Sequence, residues 1–139
     1  DFHLTLSNFV PKPHTPFQWF PQDTQVQLKE KIAYLRNAFR GIQGVKLSFT
    51  DTELSKLEAV VSKGDVDLAP VFERAYAKGA YLDAWGGAEA LAAWFEALEE
   101  LGIDPEAYTR DRLVNPDEDL PWDGIDVGLT KTWLQQEYQ

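Results

Sequence analysis

The sequence predicts an α+β fold that is mostly helical, with a βαβ unit in residues 1–50 followed by a helical region in residues 51–139. Three observations carry this. Phe2 to Phe9 and Val45 to Thr50 alternate apolar and polar residues, one amphipathic run lies between them, and after Thr50 the apolar residues recur at helical spacing.

Phe2-His3-Leu4-Thr5-Leu6-Ser7-Asn8-Phe9 reads as a half-buried strand. The stretch that follows, Val10 to Trp19, contains Pro11, Pro13 and Pro16, which remove backbone donors and restrict φ at their own positions and the backbone just before them. It is therefore neither helix nor central strand but a stiff loop leaving a strand end, a place where α/β proteins commonly position ligand contacts. Thr24 and Gln27 form a capping box, and Leu28, Ile32, Leu35 and Phe39 make the apolar stripe of a first helix that stops at Gly41 and Gly44. Val45, Leu47 and Phe49 then alternate with Lys46, Ser48 and Thr50 in a second strand. A connection containing a helix of several turns implies that the two strands lie parallel in a right-handed unit.

Beyond Thr50, a capping box of Thr50 and Glu53 opens a helix with Leu54, Leu57, Val60 and Val61 on one side and Gly64 as its stop. A third helix carries Leu68, Val71, Phe72, Ala75 and Tyr76 up to Gly79, with Pro70 accommodated in the first turn. A fourth runs from about Ala88 to Leu101, burying Leu91, Trp94, Phe95, Leu98 and Leu101 and ending at Gly102. Asp104-Pro105 caps a short helix, Asn115 to Gly124 is an extended loop, and Thr130 caps a final helix bearing Trp133 and Leu134.

The chain has 139 residues, 44% of them hydrophobic, and a net charge of −10 that is unevenly spread. Residues 1–50 carry six Lys/Arg against three Asp/Glu, whereas residues 96–139 carry three against twelve. An acidic C-terminal end repels a phosphate backbone, so no nucleic-acid partner is expected. Lys29, Lys31, Arg36 and Arg40 fall on one amphipathic helix and read as its solvated face. No apolar run is long enough to cross a membrane, so no membrane partner is expected, and with no cysteine there can be no disulfide.

Several residues invite both a functional and a structural reading. His14, between Pro13 and Thr15, is suited to orient a substrate group or carry a proton, and equally to stabilise a turn. With only His3 as a second histidine, it is a poor metal ligand. Phe17, Trp19 and Phe20 offer a stacking platform or pin the loop onto its own domain. Trp85 reads as core, and Asp83 as a turn cap or a carboxylate facing a site. Asp117, Glu118, Asp119, Asp123 and Asp126 lack the spacing of a calcium loop and read as a solvated acidic loop.

VPKPHTPFQW at 10–19, Val45-Lys46-Leu47-Ser48-Phe49, LSKLEAVVSKGD at 54–65, Asp83-Ala84-Trp85, Gly102-Ile103-Asp104-Pro105 and LPWDGID at 120–126 follow one another in an order that resembles the C-terminal part of radical S-adenosylmethionine (radical SAM) proteins, Fe–S oxidoreductases of the subgroup whose chains begin with a cobalamin-binding domain. The resemblance implies that residues 1–50 are the last strands and helix of a partial (β/α) barrel, capped by residues 51–139. It implies a cytoplasmic protein using a [4Fe–4S] cluster and S-adenosylmethionine, with cobalamin as an optional third cofactor. It also places Asn8, Phe9 and Val10 beside that cofactor and makes His14 a candidate substrate contact. The cluster motif CxxxCxxC is absent from this cysteine-free chain, so it binds none of these cofactors alone and is not catalytic alone. Together with the lack of methionine, this gives the expectation of a fragment whose partner is the upstream barrel of the same polypeptide and which self-associates through an open strand edge when isolated. Gly124 stands where the family's PWDHID has histidine, and Gly64-Asp65-Val66-Asp67 where it has GDRR. The alternative from the residues themselves is a non-catalytic interaction module docking a partner through the helices after Thr50.

Overall fold

The fold is described from a computed structural model covering residues 1–81, 83–109 and 117–138, with the side chains of residues 83–86 outside the description. The strands are β1 (Phe2–Leu6) and β2 (Val45–Phe49), and the helices are α1 (Gln25–Ala38), α2 (Thr52–Lys63), α3 (Ala69–Ala77), α4 (Asp83–Glu100), α5 (Glu106–Thr109) and α6 (Lys131–Tyr138). About half of the described residues are helical. Single turns of 3₁₀ helix at Pro16–Trp19 and Val66–Leu68 complete the elements.

β1 and β2 are parallel, with Phe2 opposite Val45, Leu4 opposite Leu47 and Leu6 opposite Phe49. That register gathers the apolar side chains of both strands on one face and His3, Thr5, Lys46 and Ser48 on the other. The Thr5 and Ser48 hydroxyls bond each other across the polar face at 2.9 Å. Arg36 of α1 lies over the Phe49 ring, 5.1 Å from its centroid, which puts α1 on the apolar face. α1 begins as its sequence predicts, with the Thr24–Gln27 capping box closed in both directions. Only Leu28 of its stripe is fully buried, and Ile32, Leu35 and Phe39 are half-buried. β1 is more open than the half-buried strand expected, with Phe2 76% and Leu4 39% exposed, because α1 meets the apolar face at Phe49 and little packs on it at the Phe2 end.

The main core is helical. Leu57 and Val60 of α2, Leu68, Val71 and Ala75 around α3, and Trp94, Ala97 and Leu98 of α4 are buried together with Ala80, Ala93 and Tyr108. Each large apolar side chain removed from water contributes about 1.5–3 kcal/mol. Phe72 stacks edge-on against Trp94 at 4.8 Å, and Lys78 bridges Glu96 and Glu100 across α3 and α4. Leu54, Val61, Phe72, Tyr76 and Leu101, all expected to be inward, are more than a third exposed.

The predicted cap of α2 is corrected. Its N-cap is Asp51, whose carboxylate accepts from the Glu53 and Leu54 amides, because Thr50 is held by the sheet through its N–H to the Leu6 carbonyl. Gly64 ends α2, as expected, for a packing reason: a Cβ there would sit 2.1 Å from Leu68 Cδ1. α4 contains a non-helical residue, Gly87 at φ 61° and ψ −150°, so its regular part starts at Ala88 as the sequence implies. The readings of Trp85 and Asp83 rest on side chains outside the described residues, and residues 115–116 of the expected Asn115–Gly124 loop lie outside them too.

A second, smaller core joins the chain ends: Trp19, Leu120, Trp122 and Leu134 are buried together, with Tyr138 against them. The expected extended acidic loop is thus only partly solvated. Residues 117–119 are exposed, while Leu120 and Trp122 anchor the segment.

Candidate functional site

The loop leaving β1 is fixed by polar side chains rather than by sheet pairing. The Asn8 carboxamide donates to the Thr50 carbonyl at 3.2 Å and to Ser55 Oγ at 2.9 Å, tying the carboxyl ends of both strands to α2. The Gln22 side chain donates to the Ser55 carbonyl at 2.9 Å, and the fully buried Lys63 donates to the Phe20 carbonyl at 2.8 Å. Burying such groups is tolerable only because they find partners. Pro16 opens the 3₁₀ turn, and Thr15 Oγ1 bonds the Lys12 carbonyl at 2.7 Å.

His14 is the only non-glycine residue with positive φ among the described residues, at 56°. That left-handed conformation costs about 1–2 kcal/mol for an L-residue. Gln18, 1% exposed, holds it in place: its carboxamide oxygen accepts the His14 amide at 3.1 Å and the Trp122 indole N–H at 2.8 Å. The hydrogen bond at this turn is made by the His14 backbone N–H, and the ring takes no part in it.

That ring borders a cleft of about 240 Å³ lined by Gln18, Asp119, Asp123 and Lys131 and by the apolar side chains of Ile125, Leu129 and Leu134. PKPHTPFQW and LPWDGID, at opposite ends of the chain, thus meet around one cavity. Asp123 accepts from the Leu120 amide at 2.9 Å and from Lys131 Nζ at 2.9 Å. Burial works against its ionisation, but these two donors and the nearby His14 outweigh it and hold the carboxyl below its usual range. The His14 ring and the Asp119 carboxylate have no hydrogen-bond partner among the described residues.

The four residues singled out from sequence do not converge. Asn8 is committed to the strand ends. Phe9 is 54% exposed and stacks on Phe17 at 5.2 Å, while Val10 is half-buried. His14 faces the cleft made with the C-terminal segment. The aromatics do pin the loop, as the structural reading holds: Trp19 is 1% exposed and, with Phe20, packs on Tyr138. Gln18, Trp122 and the Asp123–Lys131 pair carry no sequence signal of partnership, beyond a tryptophan and an aspartate set between Pro121 and a glycine. At Gly124 a Cβ would meet nothing within 4 Å, so packing does not demand glycine there.

A second, mainly apolar cavity of about 270 Å³ lies past the carboxyl end of β2, between Asp51, Leu54, Leu57, Leu91 and Trp94. Cluster ligation does not fit this chain: it has no cysteine, and no group of three His, Asp or Glu among the described residues is placed to hold a metal. No helix among the described residues is long and apolar enough to cross a membrane. No family model matches the chain, and no curated protein or solved structure matches it.

Proposed function

We propose that this chain is the C-terminal part of a radical SAM iron–sulfur enzyme, in which residues 1–50 add a closing strand–helix–strand unit to a (β/α) barrel and residues 51–139 cap its SAM and substrate site. One observation carries the reading. α1 lies on the apolar side of the sheet, with Arg36 over Phe49, and among the described residues the polar face of His3, Thr5, Lys46 and Ser48 and the outer strand edges are open. A unit whose helix lies outside, whose polar strand face looks inward and whose edges pair with neighbours presents these same surfaces.

In this reading the carboxyl ends of β1 and β2 face the site, with Phe9 and Val10 at its rim beside the cofactor and Asn8 holding the two strand ends together. His14 contacts substrate. The upstream part of the polypeptide supplies the cluster ligands that this chain lacks, and with them the one-electron chemistry. The protein is cytoplasmic, and cobalamin, where used, belongs to an upstream domain.

The test is the coding sequence on the amino-terminal side of Asp1. A CxxxCxxC motif there, with formation of a [4Fe–4S] chromophore and 5′-deoxyadenosine by the whole expressed reading frame, supports the proposal; an unrelated upstream region overturns it. A second reading, a non-catalytic interaction module, draws on the apolar cavity between α2 and α4 and on the exposed Leu54, Val61 and Phe72 nearby. It predicts an upstream region without cluster cysteines and a full-length protein that forms no cluster.

A further inference from the structure

The cleft between the β1-exit loop and the C-terminal segment has the size and the charge arrangement of a site for one small zwitterion. At about 240 Å³ it holds the equivalent of about eight waters at about 30 Å³ each, which is the scale of a single amino acid and below that of a drug-sized ligand. Its unspent polar groups are of both signs. Asp119 has no hydrogen bond or ion pair among the described residues. Lys131 spends two of its three ammonium protons on the Glu118 carbonyl and Asp123, and the His14 ring is free to donate or accept. Ile125, Leu129 and Leu134 add apolar side chains to its lining; Leu134 is buried, and Ile125 and Leu129 are partly open to solvent.

A simple amine would satisfy Asp119 and leave Lys131 and His14 unmatched. A simple carboxylate would meet Lys131 but face two aspartates. We propose that the cleft binds a small α-amino acid with an apolar side chain, its ammonium on Asp119, its carboxylate on Lys131 and His14, and its side chain against Leu129 and Leu134. The inference deepens the reading of His14 as a substrate contact and rests on it. It does not depend on the barrel or on the cluster.

The experiment is an NMR titration of the 139-residue chain with L-leucine, with isocaproate as the carboxylate lacking an amine, and with isoamylamine as the amine lacking a carboxylate. L-leucine is expected to shift the His14 ring resonances saturably and to bind at least tenfold more tightly than either analogue, about 1.4 kcal/mol. Asp119→Asn is expected to weaken L-leucine at least tenfold with the unfolding midpoint unchanged, since Asp119 has no hydrogen-bond or ion-pair partner among the described residues. Absence of a saturable shift overturns the proposal, as does isoamylamine binding as tightly as L-leucine, which marks only a diffuse acidic surface. Cluster cysteines missing upstream would leave a positive titration standing, and a failed titration would leave the barrel reading intact.

Discussion

Gln18 and Trp122 stand 104 residues apart and are joined by a 2.8 Å hydrogen bond from the indole Nε1 to the carboxamide oxygen. The same oxygen takes the His14 amide, so a single buried acceptor couples the C-terminal segment to the backbone of the β1-exit loop. Trp122→Phe is expected to destabilise the chain by about 1–2 kcal/mol, and Gln18→Leu, which removes the acceptor from two donors, by about 2–4 kcal/mol. Urea denaturation measures both. A double variant that costs the full sum of the two would deny the coupling.

The left-handed backbone of His14 gives a second expectation. His14→Gly relieves the strain and His14→Ala keeps it, so the glycine variant is expected to be the more stable of the two by about 1 kcal/mol. At an ordinary helical or extended position the order would be reversed.

Gly64 is a packing glycine. Gly64→Ala drives a methyl into Leu68 Cδ1 and brings it 3.0 Å from the Val60 carbonyl, with an expected loss of about 1–3 kcal/mol. In the background of Leu68→Ala, the same substitution is expected to cost less than half as much, by thermal unfolding. Equal costs in the two backgrounds would remove Leu68 as the cause.

Acid is expected to loosen the C-terminal segment. The Asp123 carboxyl is held below its ordinary value in the folded chain, so its contribution is complete above the unfolded carboxylate value of about 4 and disappears as pH falls through the lower folded value. Tryptophan fluorescence of the Trp19–Trp122 cluster followed downward from about pH 5 reports this. Asp123→Asn should flatten that part of the profile, and a variant that tracks the parent would show that another group titrates.

Each strand has an unpaired outer edge, and Phe2 is exposed. Amides of β1 and β2 are expected to exchange faster than those of α3 and of α4 beyond Ala88, and the isolated chain to self-associate weakly in sedimentation experiments. Strong, equal protection in a monomer would mark residues 1–50 as complete without neighbours.

What could be read from the sequence is what local rules govern. The Thr24–Gln27 box, the alternation of Val45 to Phe49 and the parallel crossover all follow from spacing, and all are present. The capping box at Thr50 fails because a strand hydrogen bond claims that residue first, leaving the adjacent aspartate to cap. Leu54, Val61 and Phe72 match a helical period yet stay more than a third exposed, since periodicity gives a face and not the area of the surface opposite it. The cleft was the least legible part. It depends on Gln18 meeting Trp122 and on Asp123 meeting Lys131 beside His14, and no spacing rule reaches across a hundred residues.

The small core of Trp19, Leu120, Trp122 and Leu134 also sets an order of events in synthesis. The residues around Trp19 leave the ribosome about a hundred residues before their packing partners, a delay on the order of ten seconds at about 5–20 residues per second. During that interval the segment from Val10 to Phe20 has no Trp122 to hold it. The helices from Thr52 to Glu100 precede Trp122 in synthesis, and the indole N–H that shares the Gln18 oxygen with His14 is in place only after them.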